Sequence, residues 1–352
     1  MRIDQLTFTR FLAAVAIVIY HFGKRIFPFN ADEVSFLVKH ANIGVSYFYI
    51  LSGFIMIISY GRSQKVAPLD YYKNRIARIY PVYLLGFLFY FPICIMINYP
   101  IDYTLIANAT MLQSWMPGWV MRYNFPGWSV SVEMLFYFLF PLLFNYGYSK
   151  PNYRKAIFIG IVLFWVFSQL FFHYMIQHPY YKGEFTPSHE LLFYHPLFHL
   201  NEFLVGNLAG LWFLRQGDSS RKNYDWIVLS LVVLIALALK YPMGMNYHNG
   251  LFAVLLVPLI LFISLNTGRI TQWFLHPKLV YLGEISYGVY IYQLPVFYYL
   301  KPMPIDNQLL AFGIKLAVLL LLSMVSYRFI EIPLRNKIKK IDLRFLQKER
   351  QL

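Results

Sequence analysis

The sequence predicts an all-α polytopic membrane protein, and three observations predict it. Hydrophobic residues make up 59% of the 352 and charged residues only 13%, about half the charged share of an ordinary soluble domain. The apolar residues recur in blocks of about 20, the length at which a helix crosses a bilayer. Basic residues collect in alternate connections, the pattern that marks cytoplasmic loops.

Taken in order, the apolar blocks give about ten transmembrane helices, near 6–27, 41–60, 79–98, 128–146, 156–175, 193–214, 224–240, 250–267, 279–299 and 307–330. The connections 61–78, 147–155, 215–223 and 268–278 carry Lys and Arg. So does the tail from about 331 to 352, with Arg335, Lys337, Lys339, Lys340, Arg344, Lys348 and Arg350. The intervening loops hold Asp32, Glu33, Asp102, Glu184, Glu190 and Asp306. An even number of spans with both termini cytoplasmic satisfies every loop. Residues 101–127 fit a span poorly: an apolar but short stretch runs into a Pro/Gly/Trp-rich loop, which predicts a re-entrant or half helix near 104–116. Irregular backbone at that depth is tolerated only beside a cavity.

The net charge of +15 would suit nucleic acid, but its confinement to alternate loops points to the membrane, and no nucleic-acid partner is expected. The first apolar block has a positive start, as a signal peptide has. No small-residue cleavage site follows it, so it reads as a retained first helix. One cysteine, Cys94, rules out an intrachain disulfide. The chain reads as a single domain, 1–352, without repeats or a separate soluble unit.

Within the first block, "RFLAAVAIVIYH" (10–21) carries Arg10 and His21. Ionisable groups at membrane depth are costly and usually face an interior cavity. Eleven residues apart on an α-helix, the two lie about 20° off one stripe and roughly 16 Å apart along the axis. Read from these residues alone, the stripe is open between two accounts. Either Arg10 snorkels to the interface while His21 bonds a neighbouring helix, or Arg10 holds an anionic ligand and His21 works as a general base deeper in.

With these residues the sequence resembles the membrane-bound acyltransferase-3 family of O-acyltransferases, whose first span carries an Arg, ten residues and a His. Further matches follow in order: "FYILSGFIM" (48–56), "RIAR" (75–78), "WSVSVEMLFYFLFP" (128–141), "NEFLVGNLAG" (201–210) and "LGEISYGVYIYQLPV" (282–296). The chain departs from the family at Gln293, where relatives often have a His in a His-x-Pro context; an amide donates and accepts hydrogen bonds but cannot act as a base. The resemblance implies that Arg10, Arg75 and Arg78 bind the phosphates of an acyl-CoA donor, guanidinium forks being suited to phosphate. It implies His21 as catalytic base. Glu133, about one turn into the fourth span and so at a depth comparable with His21, either hydrogen-bonds a Trp or Tyr of the bundle or orients and charge-stabilises that imidazole as the acid of a triad does. Ser52, Trp128, Ser131, Glu202, Ser286, Tyr287 and Tyr290 are expected near the substrates. His195, His199 and Glu202 have a spacing that could serve zinc, but a third strong ligand and a supporting shell are wanting, so no metal is expected.

The expected function is transfer of an acyl group, in the first instance acetyl from acetyl-CoA, to a hydroxyl of a cell-surface glycan or lipid-linked sugar, at the cell inner membrane. A transporter or flippase for such a sugar is the rival reading. Many spans and buried polar residues suit it equally, although the matching halves common in transporters are not evident.

Overall fold

A computed structural model describes residues 3–217 and 220–341: helices joined by turns and irregular loops, with one isolated β-bridge between Lys222 and Asn266. Arg344, Lys348 and Arg350 of the basic tail lie outside the described residues. The first span, α1 (Gln5–Val18), continues as one wider π-helical turn, Ile19–Gly23. After a short α2 (Asp32–Lys39) come α3 (Ile43–Tyr60) and the 29-residue α4 (Pro68–Met96). A six-residue α5 (Thr104–Ala109) follows, then α6 (Trp128–Leu143), α7 (Arg154–Gln177), α8 (Pro187–Tyr194) and α9 (Pro196–Gln216). The C-terminal half holds α10 (Asp225–Lys240), α11 (Ala253–Leu265), α12 (Arg269–Phe274), α13 (Pro277–Tyr299), α14 (Gln308–Ser326) and α15 (Ile332–Lys339).

Every apolar segment expected from sequence contains a helix. Among the described residues, seven helical runs are long and apolar enough to cross a bilayer. Of the other three segments, α10 and α11 are 16 and 13 residues long, and α13 dilutes its apolar face with tyrosines, Lys278 and Glu284. The segment near 104–116 is no full span: six residues of helix end at Thr110, and a single tight turn, Gln113–Trp115, follows. Two of its backbone groups are bonded by neighbouring side chains. Tyr83 Oη donates to the Asn108 carbonyl at 2.6 Å, and the Ser114 N–H donates to Ser131 Oγ at 3.2 Å.

One boundary differs in a way that matters. Sequence places Arg75 and Arg78 in a connection ahead of the third span, but α4 starts at Pro68, with Pro in the first turn, where a missing N–H costs nothing. Both arginines therefore stand on the helix, a turn or more inside it.

The bundle closes around glycine. At the α3–α9 crossing a Cβ on Gly53 would run into the Phe203 carbonyl, and one on Gly206 into the Ile50 carbonyl. Small residues let helix backbones approach this closely in a bilayer, where packing replaces the hydrophobic effect as the driving force. A Cβ on Gly283 would likewise strike the Thr7 carbonyl, which draws α13 against α1. A Cβ on Gly44 would meet Ile17 and the Ala13 carbonyl, so α3 also packs closely on α1, and α1, α3 and α13 gather around the interior in which the polar residues collect.

Candidate active site

Between α1, α3, α4, α6 and α13 lies a cavity of about 140 Å³. Arg10 comes to it from α1, Ser52 from α3, and Arg75 and Arg78 from α4. Glu133 comes from α6, and Ser286, Tyr287 and Tyr290 from α13. Eight of the residues singled out in the sequence thus meet around one space, although they come from five separate helices. Two carboxylates to which the sequence assigns no role, Glu284 and Glu331, line the same space. The second ends the π-helical turn Tyr327–Glu331 that continues α14.

Three guanidiniums face three carboxylates here, and each carboxylate has a further partner. Glu133 accepts from Tyr137 Oη at 2.5 Å, and Glu284 from Tyr327 Oη at 2.8 Å. Glu331 lies 3.9 Å from Arg335. The Arg75 guanidinium sits among the rings of Tyr60, Tyr71 and Tyr137 at 5.9, 5.4 and 5.9 Å, a cation–π enclosure that favours the charge without neutralising it. Its Nε is buried and has no hydrogen-bond partner. A buried, unpartnered donor on a cation is costly, and an anionic oxygen would relieve it. The fit to a phosphate-bearing ligand rests on this group.

His21 does not line the cavity. Arg10 and His21 share a stripe only on regular α-helix, but His21 lies in the middle of the π turn Ile19–Gly23. Such a turn holds more residues and rotates the side chain away from the stripe that Arg10 occupies. His21 instead packs edge-on against Phe125, ring centroids 5.1 Å apart, and its Nδ1 lies 2.8 Å from Gln293 Oε1. The expected pairing of Glu133 with His21 is therefore replaced: Tyr137 holds the carboxylate, and Gln293 on α13 holds the imidazole. The two ends remain close along α13, since Tyr290 lines the cavity and its carbonyl accepts from Gln293 Nε2 at 2.7 Å.

Three other expected substrate neighbours lie away from this cavity. Glu202 is fully buried and bonded to His199 at 2.7 Å, whose Nε2 in turn bonds the Phe193 carbonyl at 2.8 Å. Ser131 is fully buried and accepts from the Ser114 N–H at 3.2 Å. Trp128 packs on Tyr194, centroids 4.7 Å apart. None of the three reaches the cavity wall. The described residues hold no group of three His, Cys, Asp or Glu side chains placed to bind a metal ion.

The sequence carries only a faint signal for the two further carboxylates. Glu284 falls inside the quoted "LGEISY", and Glu331 ends an apolar run one residue past the expected span. The tyrosine enclosure has none, because 30 tyrosines hide any three.

A helical bundle with several apolar spans, whose interior cavity is lined by three arginines, defines the class as a polytopic membrane protein with a cation-lined interior. Comparison with known proteins places it within that class. An acyltransferase-domain family model, the acyltransferase-3 type, matches residues 3–328, and the chain belongs to that family. It is 24% identical over 374 residues to the O-acetyltransferase OatA of Staphylococcus aureus strain NCTC 8325, a match covering 93% of this chain and 56% of that protein. It is 30% identical over 166 residues to the acyltransferase MdmB of Streptomyces mycarofaciens, covering 44% of this chain and 42% of that one. The chain thus spans little more than half the length of the O-acetyltransferases it matches. No solved structure matches it.

Proposed function

We propose that this chain is an integral-membrane O-acyltransferase that moves an acyl group, in the first instance acetyl, from cytoplasmic acyl-CoA to a hydroxyl of a cell-surface glycan or lipid-linked sugar. The observation that carries the reading is the guanidinium cluster of Arg10, Arg75 and Arg78 on one buried cavity, whose α13 wall continues one turn on to the residue holding His21. The family membership and the acetyltransferase relatives supply the reaction class. In this reading the protein lies in the cell inner membrane with both termini cytoplasmic, so that the cation cluster faces the side where acyl-CoA is made.

The chemistry balances with the groups present. Arg75, with Arg10 and Arg78, binds the donor's phosphates and leaves the thioester deeper in the bundle. His21 takes the proton of the acceptor hydroxyl as the oxygen attacks the thioester carbonyl. The C–O bond forms, the C–S bond breaks, and the proton passes to the departing thiolate. Glu133, Glu284 and Glu331 keep the cations from repelling one another before the donor arrives. The packed bundle excludes water that would otherwise hydrolyse the thioester.

The test is thiol release from acetyl-CoA by the purified protein in lipid, with and without a sugar acceptor. Acceptor-dependent release that is abolished by His21→Ala is the expected result. A transporter would release none. A mass-spectrometric comparison of surface glycans with and without the gene then names the acceptor.

A further inference from the structure

We propose that Gln293 is a positioning residue that fixes the tautomer of His21, so that Nε2 is the basic nitrogen presented to the acceptor; the inference deepens the reading of His21 as the base and rests on it. The orientation of the Gln293 amide is not free. The Tyr290 carbonyl, 2.7 Å away, can only accept, so the NH₂ end of the amide must face it. That turns Oε1 towards His21 Nδ1, at 2.8 Å. An amide oxygen also only accepts, so Nδ1 must carry the hydrogen. In a neutral imidazole the lone pair then falls on Nε2.

The remaining surroundings agree. Among the described residues Nε2 makes no hydrogen bond, and it is not one of the polar atoms sealed from solvent. The neighbouring rings, Tyr20, Phe22 and Phe125, enclose the imidazole without competing for Nδ1. Gln293 is itself fully buried, and α13 is locked against α1 at Gly283. The relay from the Tyr290 carbonyl through the amide to the ring is therefore held by the same helix pair that builds the cavity. An amide does here what a carboxylate does in a catalytic triad, orienting the ring and choosing its tautomer, and it adds no charge to the interior.

The test separates accepting from merely filling space. Gln293→Leu keeps the volume and accepts nothing, whereas Gln293→Glu keeps an acceptor for Nδ1–H and gives up the bond to Tyr290. The leucine variant is expected to lower kcat about 10- to 100-fold with the acetyl-CoA KM unchanged, and the glutamate variant to restore most of it. Ring ¹⁵N spectra of the full-length protein, with the His21 signal assigned by its loss in His21→Asn, should show hydrogen on Nδ1 in the parent and a tautomer mixture in the leucine variant. A parent ring with its hydrogen on Nε2, or a leucine variant with undiminished kcat, would overturn the proposal. If the spectra come out as expected and His21→Ala still transfers acyl groups, the positioning stands and it is the base assignment that fails.

Discussion

Glu133 accepts a 2.5 Å hydrogen bond from Tyr137, one turn further along α6, and the same tyrosine ring forms one side of the enclosure around Arg75. One side chain thus restrains a carboxylate and a guanidinium that line the same cavity. Without that hydroxyl, Glu133 is drawn more strongly to the cations beside it, Arg10, Arg78 and Arg75. Tyr137→Phe should therefore let the carboxylate settle on the arginines and compete with an anionic donor. The expected outcome is a rise in acetyl-CoA KM of about 3- to 10-fold with kcat unchanged, the scale of one hydrogen bond. Steady-state kinetics decide it. A fall in kcat at constant KM would instead place Glu133 in the chemical step.

Arg75 offers the sharpest test of the donor site. Its Nε is buried without a partner, and hydrogen bonds between charged groups are the strong ones. Arg75→Ala should raise the acetyl-CoA KM by about 10- to 100-fold and change kcat less than twofold. Arg75→Lys keeps the charge but not the fork, and should recover only part of the loss. Turnover that collapses while donor affinity, read by isothermal titration, holds steady would remove Arg75 from the donor site.

The legible part of the structure is the part that lipid enforces. Charges are rare enough in apolar runs that Arg10 and Glu133 stand out from the sequence, and they do face an interior cavity. Arg75 and Arg78 are legible as cations at one end of the third span, but the helix start is not, because a basic segment before a span looks like a loop even when the helix has already begun at Pro68. The face that His21 takes is not legible, because a periodicity of 3.6 residues has no term for a π turn, and nothing in "IYHFG" announces one. Gln293 is no base; its use as an acceptor depends on a carbonyl 2.7 Å away that composition cannot reveal.

The crossing of α3 and α9 depends on the absence of two side chains. Ala at Gly206 would force its methyl into the Ile50 carbonyl, which is backbone and cannot step aside as a flexible side chain would. Gly206→Ala should lower unfolding stability by about 1–3 kcal/mol, the usual cost of overpacking. A methyl on Gly313, in mid-α14, would meet nothing within 4 Å, so Gly313→Ala should leave stability unchanged or raise it slightly through helix propensity. Thermal unfolding of the detergent-solubilised pair checks both. Equal melting temperatures would show that the crossing opens to admit a methyl.

The half-helix segment is tied down by a carboxylate, which makes its closure depend on pH. Asp102 accepts from the Thr104 hydroxyl at 2.5 Å and from its N–H at 2.9 Å, and pairs with Arg122 at 3.0 Å. It thereby ties the entry of the segment 102–122 to its exit. The Thr104 hydrogen bonds, assisted by the Arg122 charge, hold its carboxyl below the usual aspartate range. A carboxylate whose folded pKa is depressed contributes stability that is fully present above its unfolded pKa, about 3.9. That contribution is lost as pH falls through the folded value. The loop should therefore resist proteolysis equally from neutral pH down to about pH 5, and open only below about pH 4. Asp102→Asn, which cannot pair with Arg122 as a charge, should be cleaved faster across the whole neutral range and lose the acid transition. Limited proteolysis with an acid-tolerant protease, read by mass at each pH, distinguishes the two profiles. A variant and parent cut at the same rate at pH 7 would mean that the segment is held by its buried bonds to Tyr83 and Ser131 alone.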